Sequence, residues 1–442
     1  MFEKLYKTHK QTGQDFLWRT LQMAGKQGTA CLIFFIAAKF LSPETFGDFG
    51  YLMAVVGLLA VICDFGFSTA VSRYVAEYKF KQSEKLNKIL FSISIVSIGI
   101  SAFISAVVVL LGARVFKENY RYILCLLPYL FLMPLTSIAD GMYRGLKQFK
   151  KLAIISIIVG IFSLAASFIL VSRYLLIGAI LSQIILYFLM AAALFALQRN
   201  FTMRFDKSIV TEVARYALVL GTAGVAYFLY TRVDILILKQ FGYVVEIGYY
   251  EIVNKIFQML IIPFAILGQV IAPNTVKYAI ANDFGEIKDK LKKYAAFCLG
   301  IGLILSVCLH FGIPPALRTA LPRYYTTEFI LIMNILLVLL PFKVLGTCLN
   351  QGFIVPAGFA RIMAVAAGIG GILNVIFDYI CIDRFGYVGV FWVTLVIHSL
   401  TIITLTTYFL FAIHREDLHR RVHAIQNAAG GIGTVDWDDS GD

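Results

Sequence analysis

Twelve apolar runs, each long enough to cross a bilayer, fill this chain, and the second six echo the first six. A helix needs about 20 predominantly apolar residues to span the hydrocarbon core. The first six runs cover residues 17–39, 47–69, 90–111, 123–143, 152–171 and 175–197. The second six cover 216–238, 248–270, 294–313, 327–349, 362–382 and 388–411. Phe40 and Gly47 return as Phe241 and Gly248 at an offset of 201, and the Lys85–Lys88 cluster returns as Lys290–Lys293 at 205. Pro134 and Gly145 return as Pro341 and Gly352 at 207, and Gly178 returns as Gly389 at 211. A slowly rising offset, with each match in the corresponding run, is the mark of an internal duplication. The expected fold is all-α and polytopic, with twelve transmembrane helices in two parallel six-helix bundles. Six is even, so both bundles enter the membrane from the same side. A site between two such repeats is an architecture for moving a solute across a membrane.

Composition agrees: 60% of the residues are hydrophobic and only 15% charged, which excludes an ordinary soluble protein. The net charge of +13 is not a nucleic-acid footprint, because its distribution is topological. Of the 39 basic residues, 25 fall before the first run or after even-numbered runs, among them Lys4, Arg73, Lys85, Lys150, Arg204, Lys290 and Arg415. Only nine fall on the opposite side, including Lys39, Arg121, Lys239 and Arg318. The positive-inside rule then places both termini in the cytoplasm. The expected organisation is a cytoplasmic segment at 1–16, an N-lobe at 17–198, a linker at 199–215, a C-lobe at 216–413 and a tail at 414–442, whose acidic end reads as disordered. The first run is read as a retained helix, since Lys26 interrupts it and no small-residue cleavage site follows. The seven cysteines form no CxxC or Cys/His spacing, so neither a disulfide framework nor a metal site is expected. No cofactor is expected either. The longest outer loop, about 314–326, carries Arg318 and Arg323 but no carboxylate–histidine constellation, so an enzyme is not expected.

Charges inside the apolar runs cost about 2.5–3.5 kcal/mol each on insertion scales, and they mark function. Arg19 and Lys26 lie seven residues apart, nearly two turns, and so share one face of the first run. At 1.5 Å per residue Lys26 sits roughly 13 Å deep. It either snorkels, pairs with Asp64 near the inner end of the second run, or lines a water-filled cavity. Arg232 and Asp234 in the seventh run fall at the depth of Glu251 and Lys255 in the eighth, which predicts an Asp234–Lys255 pair. Lys343 follows Pro341 by two residues, and the proline ring bends a helix, so Lys343 either marks a cavity wall or hinge or snorkels inward. Asp140 and Arg144 are spaced as a surface ion pair. Asn374 and Asp378 are spaced to bury against a partner helix, and His310 and His398 to make hydrogen bonds within the bundle. No dedicated coupling-ion site is evident.

The stretch AAKFLSPETFGDFG at 37–50, followed by LLAVICDFGFSTA at 58–70, resembles the opening of bacterial polysaccharide-biosynthesis membrane proteins. The segment from Asp234 through Gly248, Tyr249 and Tyr250 to Lys255 is similar to the same family. These are the O-antigen and capsule repeat-unit flippases of the multidrug/oligosaccharidyl-lipid/polysaccharide (MOP) exporter superfamily, and the resemblance covers roughly 14–421. It implies a MATE-like fold, residence in the bacterial inner membrane and alternating access of two lobes around a cationic cavity. The implied substrate is an undecaprenyl-diphosphate-linked oligosaccharide, with membrane lipids, a polysaccharide polymerase and a chain-length regulator as partners. By position the cation candidates are Arg19, Lys26, Arg232, Lys255 and Lys343; coupling or gating candidates are Asp64, Asp234 and Pro341. Three rival readings remain, the first a lipid II flippase, which commonly carries extra helices beyond the twelve. A drug/cation antiporter of the same superfamily would need acidic rather than basic cavity residues, and a polysaccharide polymerase or ligase would need a large outer loop.

Overall fold

The computed structural model describes residues 2–81, 83–198, 202–281 and 283–430, with side chains placed for 16–81, 84–198, 202–281, 283–359 and 361–415. The acidic tail end and the side chains of Lys4, Lys7, Lys10, Arg199, Arg420 and Arg421 lie outside these. Among the described residues the chain is helical throughout. The first half holds α1 (Phe2–Phe40), α2 (Pro43–Asp64), α3 (Phe67–Lys81), α4 (Ser83–Phe116), α5 (Tyr120–Cys125), α6 (Leu127–Gly145) and α7 (Phe149–Ala196). The second half holds α8 (Lys207–Gln240), α9 (Val244–Ala281), α10 (Phe284–Ala320), α11 (Thr327–Leu349), α12 (Ala360–Phe385) and α13 (Tyr387–Gly430). Helices are the natural solution here, because a lipid core offers no water to unpaired backbone groups. Starts are written locally. Ser42 accepts from the Thr45 amide with Pro43 in the first turn, and Asp206, Asp283 and Thr326 cap α8, α10 and α11 in the same way.

Nine helical stretches among the described residues are long and apolar enough to cross a membrane. The expected twelve differ from this count at three places, each with a physical cause. In α1, Arg19, Gln22, Lys26 and Gln27 dilute the apolar run. The short α6 carries Asp140 and Arg144 within 19 residues. In α7, the runs at 152–171 and 175–197 are continuous except for a sharp break at Leu175, whose backbone is left-handed (φ 49°). Ser156 and Tyr187 of α7 line one small cavity, so the chain turns back on itself at that break.

The duplication is carried into backbone chemistry. A proline inside a helix leaves the carbonyl four residues earlier without its donor. In α6 the carbonyl freed by Pro134 is that of Leu130, and it accepts from Ser101 Oγ at 2.8 Å. In α11 Pro341 frees the carbonyl of Leu337, and Ser306 Oγ, which also lies 2.9 Å from Gly302 O, reaches it at 2.8 Å. Ser306 follows Ser101 by 205 residues, and Leu337 and Pro341 follow Leu130 and Pro134 by 207. Beyond Pro341 the helix loosens into a π-turn at Asn350–Ile354.

The halves meet where glycines permit it. A Cβ on Gly47 of α2 would fall 1.8 Å from the Val244 carbonyl oxygen, and one on Gly248 of α9 would fall 2.6 Å from that of Pro43. Val244 follows Pro43, and Gly248 follows Gly47, by the same 201 residues. The contact is therefore reciprocal, as across a two-fold axis. At the same end Tyr324 donates to Leu41 O at 3.3 Å, and Lys239 pairs with Asp48 at 2.6 Å. One apolar core runs through both halves, and a second, in the first half, takes in Ile209, Val213 and Ala217 of α8. Large apolar side chains such as Phe103, Leu110, Phe162 and Phe311 remain exposed on the outside, as a lipid-facing surface requires.

Candidate substrate cavity and buried charge clusters

A cavity of about 250 Å³ opens between α1, α6 and α7, and Arg19 and Lys26 both line it. Arg19 Nη1 donates to Gln22 Oε1, and Gln22 Nε2 donates to Asp140 Oδ1 at 3.2 Å. Asp140 Oδ2 pairs with Arg144 Nε at 2.9 Å. The expected Asp140–Arg144 pair therefore exists but not on the surface: α1 covers it, and Asp140 is only 5% exposed. Among the described residues Lys26 has no ion pair. Asp64 does not serve it, because that carboxylate accepts from the Ser68 amide and hydroxyl, tying α2 to α3 across the Phe65–Gly66 break. The charged lining residues Arg19, Lys26 and Asp140 give the cavity a net charge of +1, and Arg144, paired with Asp140 outside the lining, raises the local sum to +2. Ser156, also on the wall, is buried with its hydroxyl unpartnered among the described residues.

Arg232 and Lys255 are elsewhere, and both are held by one acid. Arg232 Nη1 binds Glu251 Oε1, and Lys255 Nζ lies 3.7 Å from Glu251 Oε2. Lys255 also donates to Gln258 Oε1 at 3.4 Å and sits 4.1 Å above the Phe34 ring of α1. The predicted Asp234–Lys255 pair is overturned: two residues along a helix turn the side chain by about 200°. Arg232 therefore faces α9 and the first half, while Asp234 faces the interior of the second. At the offset of 201, Arg232, Glu251 and Lys255 correspond to Cys31, Gly50 and Ala54. The Glu251 side chain fills the space a Gly50 side chain would need, since a Cβ there would be 2.9 Å from Glu251 Cγ. The charge triad belongs to one half but sits against the other.

Asp234 is fully buried and accepts from three groups. Tyr250 Oη reaches Oδ2 at 2.9 Å, Thr394 Oγ1 reaches Oδ2 at 3.1 Å, and Asn374 Nδ2 reaches Oδ1 at 2.7 Å. One turn beyond Asn374, Asp378 is also fully buried, and neither of its carboxylate oxygens has a hydrogen-bond partner among the described residues. Asn374 Oδ1 is unpartnered too. Lys343 lies within electrostatic reach of Asp234 and of His398, which stacks on Tyr230 at 4.1 Å and bonds its carbonyl at 2.9 Å. Lys343 follows the Pro341 bend by two residues, about half a turn of α11. Sequence reasoning singled out Asp234 and the Asn374–Asp378 spacing but did not join them to each other or to Thr394. The available signal was four polar residues in the apolar runs of three helices.

The family model described as polysaccharide biosynthesis protein matches residues 12–279, more than half of the chain. A Shigella dysenteriae protein named "Putative O-antigen transporter" is 25% identical over 362 residues, covering 79% of this chain and 88% of that one. An uncharacterized membrane protein of Methanocaldococcus jannaschii is 23% identical over 429 residues, covering 92% and 99%. Among solved structures, an inward-facing multidrug resistance MATE family transporter of the MOP superfamily superposes with a TM-score of 0.76 at 14% identity, covering 91% of this chain and 99% of that one. The lipid II flippase MurJ in an inward closed conformation gives 0.72 at 17% identity, covering 90% and 87%. The fold is therefore the MATE- and MurJ-like one, that of a multi-pass helical membrane protein, and the chain belongs to the polysaccharide biosynthesis protein family.

Proposed function

We propose that this protein is a flippase that carries undecaprenyl-diphosphate-linked oligosaccharide repeat units across the bacterial inner membrane. Its two lobes, 17–198 and 216–413, supply twelve spans and alternate access to the space between them, with both termini cytoplasmic. The single observation that carries the reading is the α1–α6–α7 cavity, where Lys26 has no counter-ion among the described residues and Arg19 is only indirectly linked to Asp140. Such a site suits a diphosphate, which takes charge-assisted hydrogen bonds from Lys and Arg. It does not suit an organic cation, so the drug/cation antiporter reading is disfavoured. The volume accommodates roughly eight waters at ~30 Å³ each, enough for the head-group phosphates alone. The sugars occupy the space between the lobes and the prenyl chain stays in lipid. Arg232 and Lys255, already engaged by Glu251, set the potential facing the first lobe.

Reorientation is driven by a small cation held at the Asp234–Asn374–Asp378–Thr394 cluster. Supporting this is a donor set made of oxygens, which suits hard cations, and a buried carboxylate pair that costs too much unless compensated. With Lys343 close by, one bound Na⁺ leaves the cluster neutral. Pro341, next to Lys343, is the point where α11 bends between states.

The test is polymer assembly in the native strain lacking this gene and complemented with matched levels of wild type, Lys26→Ala or Lys26→Glu. Wild type restores surface polymer, and both variants leave lipid-linked units on the cytoplasmic face. Normal polymer from Lys26→Glu would remove the cavity from the substrate path. If wild type restored no export and the deletion altered only drug resistance, the antiporter reading would replace this one.

A further inference from the structure

The duplication sets two basic clusters side by side for comparison: in the first an acid answers a lysine and a tyrosine together, and in the second Lys290 Nζ donates to the Tyr278 hydroxyl itself. In the first half, Lys85 of α4 lies over the ring of Tyr78 from the preceding helix, 5.4 Å away. The two donate to the same atom, Glu212 Oε2, at 3.0 Å from Lys85 Nζ and 2.9 Å from Tyr78 Oη. A lysine and a tyrosine hydroxyl thus form a cradle, and α8 fills it with an oxyanion. In the second half, Lys290 of α10 follows Lys85 by 205 residues and again lies over a tyrosine of the preceding helix, Tyr278, at 4.1 Å. Here no carboxylate from another helix reaches the pair among the described residues. Only Glu286, one turn back on α10, approaches Lys290, at 3.6 Å. In place of the glutamate there is a cavity of about 140 Å³, lined by Lys290, Lys293, Tyr278, Asn274 and Thr275 with apolar walls.

We propose that this second cradle binds the phosphate of an anionic membrane lipid. Its surroundings favour a lipid over a soluble phosphate. One to five turns further along α10, Phe297, Leu303, Ile304, Val307 and Phe311 are all exposed. On the α9 flank Val270, Val276 and Ile280 are exposed as well. An acyl chain lying on those residues places its head group at the level of Lys290 and Lys293. Basic pockets between membrane helices at the cytoplasmic surface are head-group sites on electrostatic grounds, with each lysine near the surface worth about 1 kcal/mol, or about fivefold in affinity. The site lies in the half opposite the Lys26 cavity, and its test reads lipid binding without transport, so it stands or falls separately from the flippase reading.

The test is native mass spectrometry of the full-length protein in detergent, titrated with dioleoyl phosphatidylglycerol and, in parallel, with dioleoyl phosphatidylcholine. Wild type binds the first phosphatidylglycerol more tightly than the first phosphatidylcholine. Lys290→Gln with Lys293→Gln weakens that first event about 25-fold, two factors of about five. Lys292→Gln, which removes a single lysine charge outside the cavity and so matches Lys293→Gln, leaves it unchanged. Equal loss with Lys292→Gln, or no loss in the double variant, would overturn the site. Displacement of the lipid by equimolar glycerol 3-phosphate would overturn the lipid assignment in favour of a soluble phosphate. Tight binding that appears only after removal of 431–442 would make the acidic tail the natural occupant and overturn it as well. Lys293→Gln alone, with a fivefold loss, covers the case in which the double variant fails to fold.

Discussion

Replacing Glu251 with glutamine removes the one anion that serves two buried cations. Glu251 is 2% exposed, and the side chains of Arg232 and Lys255 are 18% and 11% exposed. Losing one partner of a buried ion pair costs about 3–5 kcal/mol, because the charge left behind has been taken out of water. In a membrane protein the unfolded chain also finds polar partners in the bilayer, which lowers measured costs. The lower end, about 3 kcal/mol, is therefore expected for Glu251→Gln. Lys255→Met should cost much less, under about 1 kcal/mol, since it leaves Arg232 and Glu251 as a matched pair. Combined with Glu251→Gln it should recover part of the loss, because one cation rather than two is then orphaned. Equilibrium unfolding in mixed micelles, with increasing mole fraction of sodium dodecyl sulfate, reads all three. A Glu251→Gln cost under 1 kcal/mol, or a Lys255→Met cost exceeding it, would refute the idea that Glu251 is the shared counter-ion.

Ser306→Ala strands the Leu337 carbonyl released by Pro341, and an unsatisfied buried acceptor costs about 1–3 kcal/mol. The same unfolding titration should give a similar figure for Ser101→Ala. Gly47→Ala drives a methyl group into the Val244 carbonyl, so it should lower thermal stability and export together. Gly99→Ala, at a helical position with nothing within 4 Å, should gain about 0.5–1 kcal/mol. Asp378→Asn should abolish any stimulation of transport by a sodium gradient in proteoliposomes while leaving the protein folded. Unchanged stimulation would separate the buried carboxylates from energy coupling.

The duplication was legible because Gly47, Pro134 and Gly178 and their counterparts sit at positions where backbone geometry restricts the residue type. That Gly47 and Gly248 pack reciprocally was not legible, since a repeat reveals equivalence and not contact. Arg19 and Lys26 could be placed on one face from helical spacing alone, and they share a cavity. Asp234 was misassigned for a rotational reason: depth in the membrane matched Lys255, but direction around the helix did not. Asp140 was read as a surface residue because its i,i+4 partner is all that local sequence offers, and the α1 residue that buries it, Gln22, is 118 positions away. The Asp234 cluster draws on α8, α9, α12 and α13. Its members span 160 residues between Asp234 and Thr394, so only the folded bundle brings them together. The expected twelve spans and the nine counted among the described residues differ in part because the polar residues of α1 and α6 make them poor membrane helices by composition.

Whether the cationic cavity carries a lipid-linked oligosaccharide across a bilayer is tested most directly in a reconstituted system, without cellular partners. Proteoliposomes loaded with undecaprenyl-diphosphate oligosaccharide would be probed with a membrane-impermeant glycosidase, which trims only units in the outer leaflet. Wild-type protein is expected to expose inner-leaflet units to the enzyme over time, and Lys26→Glu protein of equal amount and stability to leave them protected. Protection that persists with wild-type protein under both sodium and proton gradients, alongside uptake of an organic cation, would contradict the flippase reading.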